Sequence, residues 1–221
     1  MLSREEYLVA WARWHGGTEP ADNRLVRGWL SVAYTLARPV AGVPPLVATA
    51  LGLAVAGLAV VPGALGGGWL VVAGVLVGVS GLLDSLDGAL AITTGRASRR
   101  GFVLDSAVDR LTEVAYAAAV WVAGAPGWLA AAFGALCWLP DYLRARAGQA
   151  GVAGSGAISV WERPTRVAVT GMTLLGAGVL AVLGAGRPVV VVVVAGAAVG
   201  VLLGAVAVVQ LGVALRRALG D

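Results

Sequence analysis

The 221-residue chain has no lysine, one cysteine, one histidine and two phenylalanines, and only 13% of its residues are charged. Each shortage excludes something. Cys137 has no partner for an internal disulfide, and its apolar surroundings mark it as a small packing residue. His15 alone assembles neither a histidine-based zinc site nor a Ser-His-Asp triad, and its neighbours suggest the membrane surface. The low charge excludes an ordinary soluble domain, which is about 45–50% apolar and about 25% charged. This chain is 59% hydrophobic with a mean hydropathy of +0.86 and belongs in a bilayer. Without lysine, all 16 basic residues are arginine, and the net charge is +4. They lie between apolar runs, where arginines set topology and contact lipid headgroups, so nucleic acid is not an expected partner. Residues 1–38 carry Arg4, Arg13, Arg24, Arg27 and Arg38 but no early apolar core, so no signal peptide is read there and the N-terminus is expected in the cytoplasm.

What is present is apolar and periodic. Residues 2–15 place Leu2, Tyr7, Leu8, Trp11 and Trp14 largely on one helical face, the pattern of a helix lying in the membrane interface. The break from Gly16 to Asn23 precedes a second surface helix suggested by Leu25, Trp29, Leu30, Val32, Ala33 and Leu36. No charge occurs between Arg38 and Asp84, which leaves room for two spans of about 20 residues each. Pro44 and Pro45 suit the first turn of span one, and the Pro62–Gly68 segment is expected to turn the chain into span two. Span three begins near Gly101, spans three and four meet at Gly124–Gly127, and a glycine-rich loop follows from Gly148 to Gly156. Span five lies between Arg166 and Arg187, and span six between Pro188 and about Leu215. The expected fold class is an all-α integral membrane protein. Residues 1–38 form an interfacial amphipathic segment and residues 39–221 a domain of six transmembrane helices. With both termini in the cytoplasm, the outer turns carry only Arg187, as the positive-inside rule requires. Gly74, Gly78 and Gly81 in span two would let helices approach closely.

Against this background, residues 84–109 stand out. Asp84 and Asp87 are three apart and Asp105 and Asp109 four apart, so each pair shares a helix face, at the cytoplasmic ends of spans two and three. Charges within spans usually face the bundle interior and mark function. Four carboxylates with no lysine or histidine nearby repel one another, and a hard cation such as Mg²⁺ or Mn²⁺ is their natural partner. Helix capping accounts for one aspartate per helix end but not for two spaced pairs.

The stretch resembles the signature of the CDP-alcohol phosphatidyltransferases. Asp84, Asp87, Gly88, Ala91, Gly101, Asp105 and Asp109 match it in identity and spacing, with eight residues between the Ile92 position and Gly101. The family's signature arginine falls on Ile92, and Pro45 stands where the family often has asparagine. The resemblance implies a six-helix fold with its active site at the cytoplasmic face. It implies two Mg²⁺ or Mn²⁺ ions held by Asp84, Asp87, Asp105 and Asp109, with Asp109 as the general base. It further implies a CDP-diacylglycerol site at Asp84, Gly88 and Ala91, with Arg96 in place of the missing arginine and Gly88 admitting the cytidine. The LDSAVDR, YLRARAG and ERPTR segments look like the phosphatidylinositol-phosphate synthase branch, whose acceptor is inositol 1-phosphate. Arg110, Arg144, Arg163 and Arg166 would then form the acceptor-phosphate site. The implied reaction is phosphatidyl transfer from CDP-diacylglycerol to a polar alcohol with release of CMP, glycerol 3-phosphate being the alternative acceptor. Membrane lipids are further expected partners, and a homodimer is left open. A divalent-cation transporter would instead carry acidic residues along the depth of several spans, whereas here they gather at one membrane face.

Overall fold

The computed structural model describes residues 1–14, 24–152 and 158–220. His15, the break from Gly16 to Asn23, the side chains of Trp14 and Leu25, and most of the Gly148–Gly156 loop lie outside the described residues. Among the described residues every regular element is an α-helix: α1 (Arg4–Trp14), α2 (Arg24–Ala37), α3 (Pro45–Leu65), α4 (Trp69–Thr93), α5 (Arg99–Val122), α6 (Gly127–Gln149), α7 (Arg163–Val182) and α8 (Arg187–Leu219). Helices α3, α4, α7 and α8 are long and apolar enough to cross a membrane, which makes this a membrane protein. Helices α5 and α6 match expected spans three and four in position, but α5 carries charged side chains in its N-terminal half, Arg99 to Glu113, and α6 in its C-terminal turns, Asp141 to Arg146.

Most helix ends fall where the sequence suggests, with one shift. Helix α3 runs through Pro62 to Leu65, so the turn is shorter than the expected Pro62–Gly68 segment. Gly66 and Gly67 make it, at φ 65° and 55°, a left-handed conformation that side chains with a Cβ rarely adopt. The N–H of Gly66 donates to the Pro62 carbonyl at 3.2 Å and closes the last turn of α3.

The chain divides into two compact units, one comprising Met1–Ala54 and Ser80–Asp109, the other Val55–Val79 and Arg110–Asp221. In the first, Ser3 and Glu6 cap α1 reciprocally. The Ser3 N–H donates to Glu6 Oε2 at 2.7 Å and the Glu6 N–H to Ser3 Oγ at 3.3 Å. The Ser3 backbone N–H, and then its hydroxyl, hold the Glu6 carboxyl below its ordinary pKa. Tyr7 and Leu8 of α1 and Leu30, Ala33 and Ala37 of α2 are buried in one apolar cluster with Ala48, Ala89 and Leu90. Burial raises the Tyr7 phenol above its ordinary value. Helix α2 has three sectors. Leu30, Ala33 and Ala37 face the cluster, Trp29, Val32 and Leu36 form an exposed apolar stripe at helical spacing, and Arg27, Ser31 and Thr35 lie on the remaining side. Helix α2 thus carries an exposed apolar sector beside its buried one.

In the second unit, α8 packs against both α6 and α7. One cluster gathers Leu70, Ala73, Val77, Tyr116, Leu174 and Val193, and another Phe133, Cys137, Trp161 and Ala207. Cys137 is the buried packing residue the sequence suggests. Small residues set the helix separations. A Cβ on Gly178 would lie 2.3 Å from the Val71 nitrogen, and one on Gly74 would lie 2.7 Å from the Gly171 carbonyl oxygen. Gly78 makes no such approach, since a Cβ there meets nothing within 4 Å. Gly178→Ala therefore forces backbone apart and is expected to cost about 1–3 kcal/mol, seen as a lower thermal midpoint in detergent. Gly78→Ala is expected to leave the midpoint unchanged or raise it, because alanine is the better helix former. Indistinguishable midpoints for the two variants would contradict the close approach.

Candidate metal centre and the arginine network

The stretch that carries the aspartates is a helical hairpin whose turn is fixed by local chemistry. Helix α4 ends at Thr93. Gly95, at φ 69°, reverses the chain, and the N–H groups of Arg96 and Ala97 both donate to the Ala91 carbonyl, at 2.9 and 3.0 Å. Ser98 then caps α5, its Oγ accepting from the Gly101 N–H at 3.0 Å. A Cβ on Gly101 would stand 3.1 Å from that oxygen, so the glycine leaves room for the cap.

The hairpin brings Asp84 of α4 together with Asp105 and Asp109 of α5. One carboxylate oxygen from each lies within 4.8 Å of the others, and all three side chains are half-buried. Asp87, the fourth expected ligand, stands one helical turn beyond Asp84. It is 5% exposed, and its Oδ2 has no hydrogen-bond partner among the described residues. The donor set fits a hard divalent cation. Octahedral Mg²⁺ with bonds of about 2.1 Å needs ligand oxygens roughly 3 to 4 Å apart, a small contraction from the observed spacing.

The residues expected around the nucleotide are placed unevenly. Gly88 is exposed, and a Cβ there would meet nothing within 4 Å, so the backbone is open to a ligand. The Ala91 carbonyl is used to close the α4 terminus. Arg96, expected in place of the missing arginine, does not lie on a helix, since α4 ends at Thr93. It lies in the turn, and its Nη1 donates to the carbonyls of Ala41, Gly42 and Val43 at 3.5, 3.4 and 3.2 Å. Ile92 packs against the apolar cluster of Tyr7, Leu8 and Leu30, which explains an apolar side chain at that signature position.

In the second unit the expected acceptor arginines form part of an ion-pair network. Arg166 and Glu113 are each 1% exposed and meet at 2.5 Å. Arg166 Nη1 also donates to Asp141 at 2.7 Å, and its Nε donates to the Trp161 carbonyl at 2.9 Å, leaving Nη2 with no hydrogen-bond acceptor among the described residues. Arg110 reaches Asp141 at 2.6 Å and Glu113 at 3.2 Å. Arg144 pairs with Asp141 at 3.0 Å and also with Glu162, which accepts the Ser159 N–H and hydroxyl at 2.7 and 2.8 Å. Arg163 opens α7, one turn before Arg166, and is half-buried. The arginines were expected from residue type. Their carboxylate partners Glu113, Asp141 and Glu162 were not. The i,i+3 spacings of Arg110 with Glu113 and Asp141 with Arg144 are the only local signal, since Arg166 and Glu113 are 53 residues apart.

Residues 30–199 match the family model of the CDP-alcohol phosphatidyltransferases, and the chain belongs to that family. Among curated proteins it is similar to the archaetidylinositol phosphate synthase of Pyrococcus horikoshii, at 35% identity over 100 residues, 45% of this chain and 53% of that protein. It is also similar to the phosphatidylinositol phosphate synthase of Mycobacterium marinum, at 38% identity over 105 residues, 44% of this chain and 43% of that protein. The matched region thus spans about half the length of these relatives. The crystal structure of Mycobacterium tuberculosis phosphatidylinositol phosphate synthase (PgsA1) with CDP-DAG bound shares the fold. Its TM-score is 0.63 at 25% identity, covering 86% of this chain and 94% of that one.

The Arg166–Glu113 pair is excluded from solvent, so removing one partner leaves a buried charge with less compensation. Glu113→Gln is expected to lower stability by about 3 kcal/mol, measured as the loss in thermal midpoint. Glu5→Gln breaks an exposed pair with Arg4 and is expected to change nothing measurable. Equal midpoints for both variants would show that the Glu113 pair is as dispensable as a surface one.

Proposed function

We propose that this chain transfers a phosphatidyl group from CDP-diacylglycerol to a polar alcohol, inositol 1-phosphate in particular, and releases CMP. The observation that carries the reading is the convergence of Asp84, Asp105 and Asp109 within 4.8 Å inside the family signature. The inositol-phosphate names of the relatives and the CDP-DAG in the PgsA1 structure support the two substrates.

In this reading Asp84, Asp87, Asp105 and Asp109 hold two divalent cations, Mg²⁺ or Mn²⁺. Such cations, when bound, neutralise diphosphate charge and stabilise the departing phosphate oxygen. Asp109 takes the proton from the acceptor hydroxyl. That oxygen forms a bond to the phosphorus bearing diacylglycerol, the bond from that phosphorus to the CMP oxygen breaks, and CMP leaves. The remaining requirement is positioning. The open backbone at Gly88 admits the nucleotide, with Asp84, Ala91 and Arg96 completing the CDP-lipid site. Arg110, Arg144, Arg163 and Arg166 hold the acceptor phosphate, and a phosphate oxygen would satisfy the donor left over on Arg166 Nη2.

We further propose that α3 to α8 make six spans. Residues 1–38 then lie in the interface, residues 39–221 form the membrane domain, and both termini and the site face the cytoplasm. The arginine distribution supports this orientation, since only Arg187 falls on the outer side.

Purified full-length protein in nanodiscs, given CDP-diacylglycerol and Mg²⁺ or Mn²⁺, is expected to release CMP with inositol 1-phosphate and much more slowly with inositol. Asp109→Asn is expected to lower turnover by at least about 100-fold, the scale of a lost general base. A preference for glycerol 3-phosphate would overturn the acceptor assignment. No CMP release with any acceptor, from folded protein that binds Mn²⁺, would overturn the enzyme.

A further inference from the structure

The hairpin that carries the aspartates is held by residues of the N-terminal segment and of the loop after α2, at three separate points. Trp29 of α2 donates its indole N–H to Ser85 Oγ at 2.8 Å. Ser85 lies between Asp84 and Asp87, and its hydroxyl in turn donates to the Gly81 carbonyl at 3.2 Å. At the far end of α4, the Leu2 N–H donates to the Thr93 carbonyl at 2.9 Å, and the Tyr34 hydroxyl of α2 donates to the Leu2 carbonyl at 3.0 Å. Tyr7 stacks on Tyr34, with ring centroids 5.8 Å apart, which ties α1 to α2. Past the end of α4, Arg96 grips the carbonyls of residues 41–43, between α2 and α3. Between these points Leu86, Ala89, Leu90 and Ile92 of α4 share one apolar cluster with Tyr7, Leu8, Trp11, Leu30 and Ala33.

Trp29 is unusual within this set. At 41% exposure it belongs to the outward stripe with Val32 and Leu36. Its hydrogen bond nevertheless ends at the residue adjoining Asp84. We propose that the N-terminal two-helix segment is a positioning element for the metal centre, and that the Trp29–Ser85 hydrogen bond is the link through which α2 fixes the turn bearing Asp84 and Asp87. Three carboxylates that repel one another drift apart unless their backbone is held, and a cation site keeps its affinity only while its ligands are kept in place. The inference rests on the reading of Asp84, Asp105 and Asp109 as a cation site.

Mn²⁺ titrations of full-length protein in nanodiscs, followed by electron paramagnetic resonance without substrate, test both levels. Trp29→Phe keeps an aromatic ring but removes the donor, and Ser85→Ala removes the acceptor. Each is expected to raise the Mn²⁺ dissociation constant about three- to tenfold, the range of one lost hydrogen bond, with the thermal midpoint of the cation-free protein unchanged. The double variant is expected to match Ser85→Ala, because once the acceptor is gone Trp29→Phe removes no further bond. Wild-type affinity in both single variants, or effects that multiply in the double variant, would overturn the inference and leave the cation site standing. Failure of the wild-type protein itself to bind Mn²⁺ would overturn the cation site and the inference with it.

Discussion

Carboxylates gathered within 4.8 Å of one another in a chain without lysine repel, and much of the first unit reads as the means of tolerating that repulsion. A helix would normally dilute such charges along its length. Here the Gly95 turn and the Ser98 cap fold α4 back into α5, so that Asp84 meets Asp105 and Asp109 at a spacing that a hard divalent cation can close. The apolar cluster beneath Ala89 and Leu90, the Leu2–Thr93 hydrogen bond and the Arg96 contacts all hold the backbone around that meeting point. Ile92 belongs to the same arrangement, as a signature position given over to packing.

The second unit solves the opposite problem. Arg110, Arg144 and Arg166 are buried or half-buried and rich in donors, and each is matched to carboxylates. Buried guanidinium groups without such partners would be costly. The pairing also fixes the orientation of each planar fork, which is what bidentate recognition of phosphate requires. Arg166 shows both effects, with Nε and Nη1 engaged and Nη2 left with no acceptor among the described residues.

Much of this was legible in the sequence, and the limits are physical. Helix positions followed from uncharged runs punctuated by glycine, the two aspartate pairs followed from their spacing, and the full signature followed from the family resemblance. The end of α3 was missed because proline usually signals a break, whereas here Gly66 and Gly67 supply the positive φ angles the turn needs. The place of Arg96 was missed because helix continuation past Thr93 depends on Gly95, and the destination of the side chain depends on a loop some 50 residues earlier. The partners of the arginines were missed for the same reason. Local spacing reveals pairs three apart, but bonds between α5, α6 and α7 exist only once those helices pack.

The account stands on a cation between α4 and α5, and anomalous diffraction from crystals grown with Mn²⁺ tests it most directly. The predicted result is an anomalous peak within bonding distance, about 2.2 Å, of carboxylate oxygens from Asp84, Asp105 and Asp109. Saturating Mn²⁺ with no peak there, or a peak held only by other residues, would contradict it.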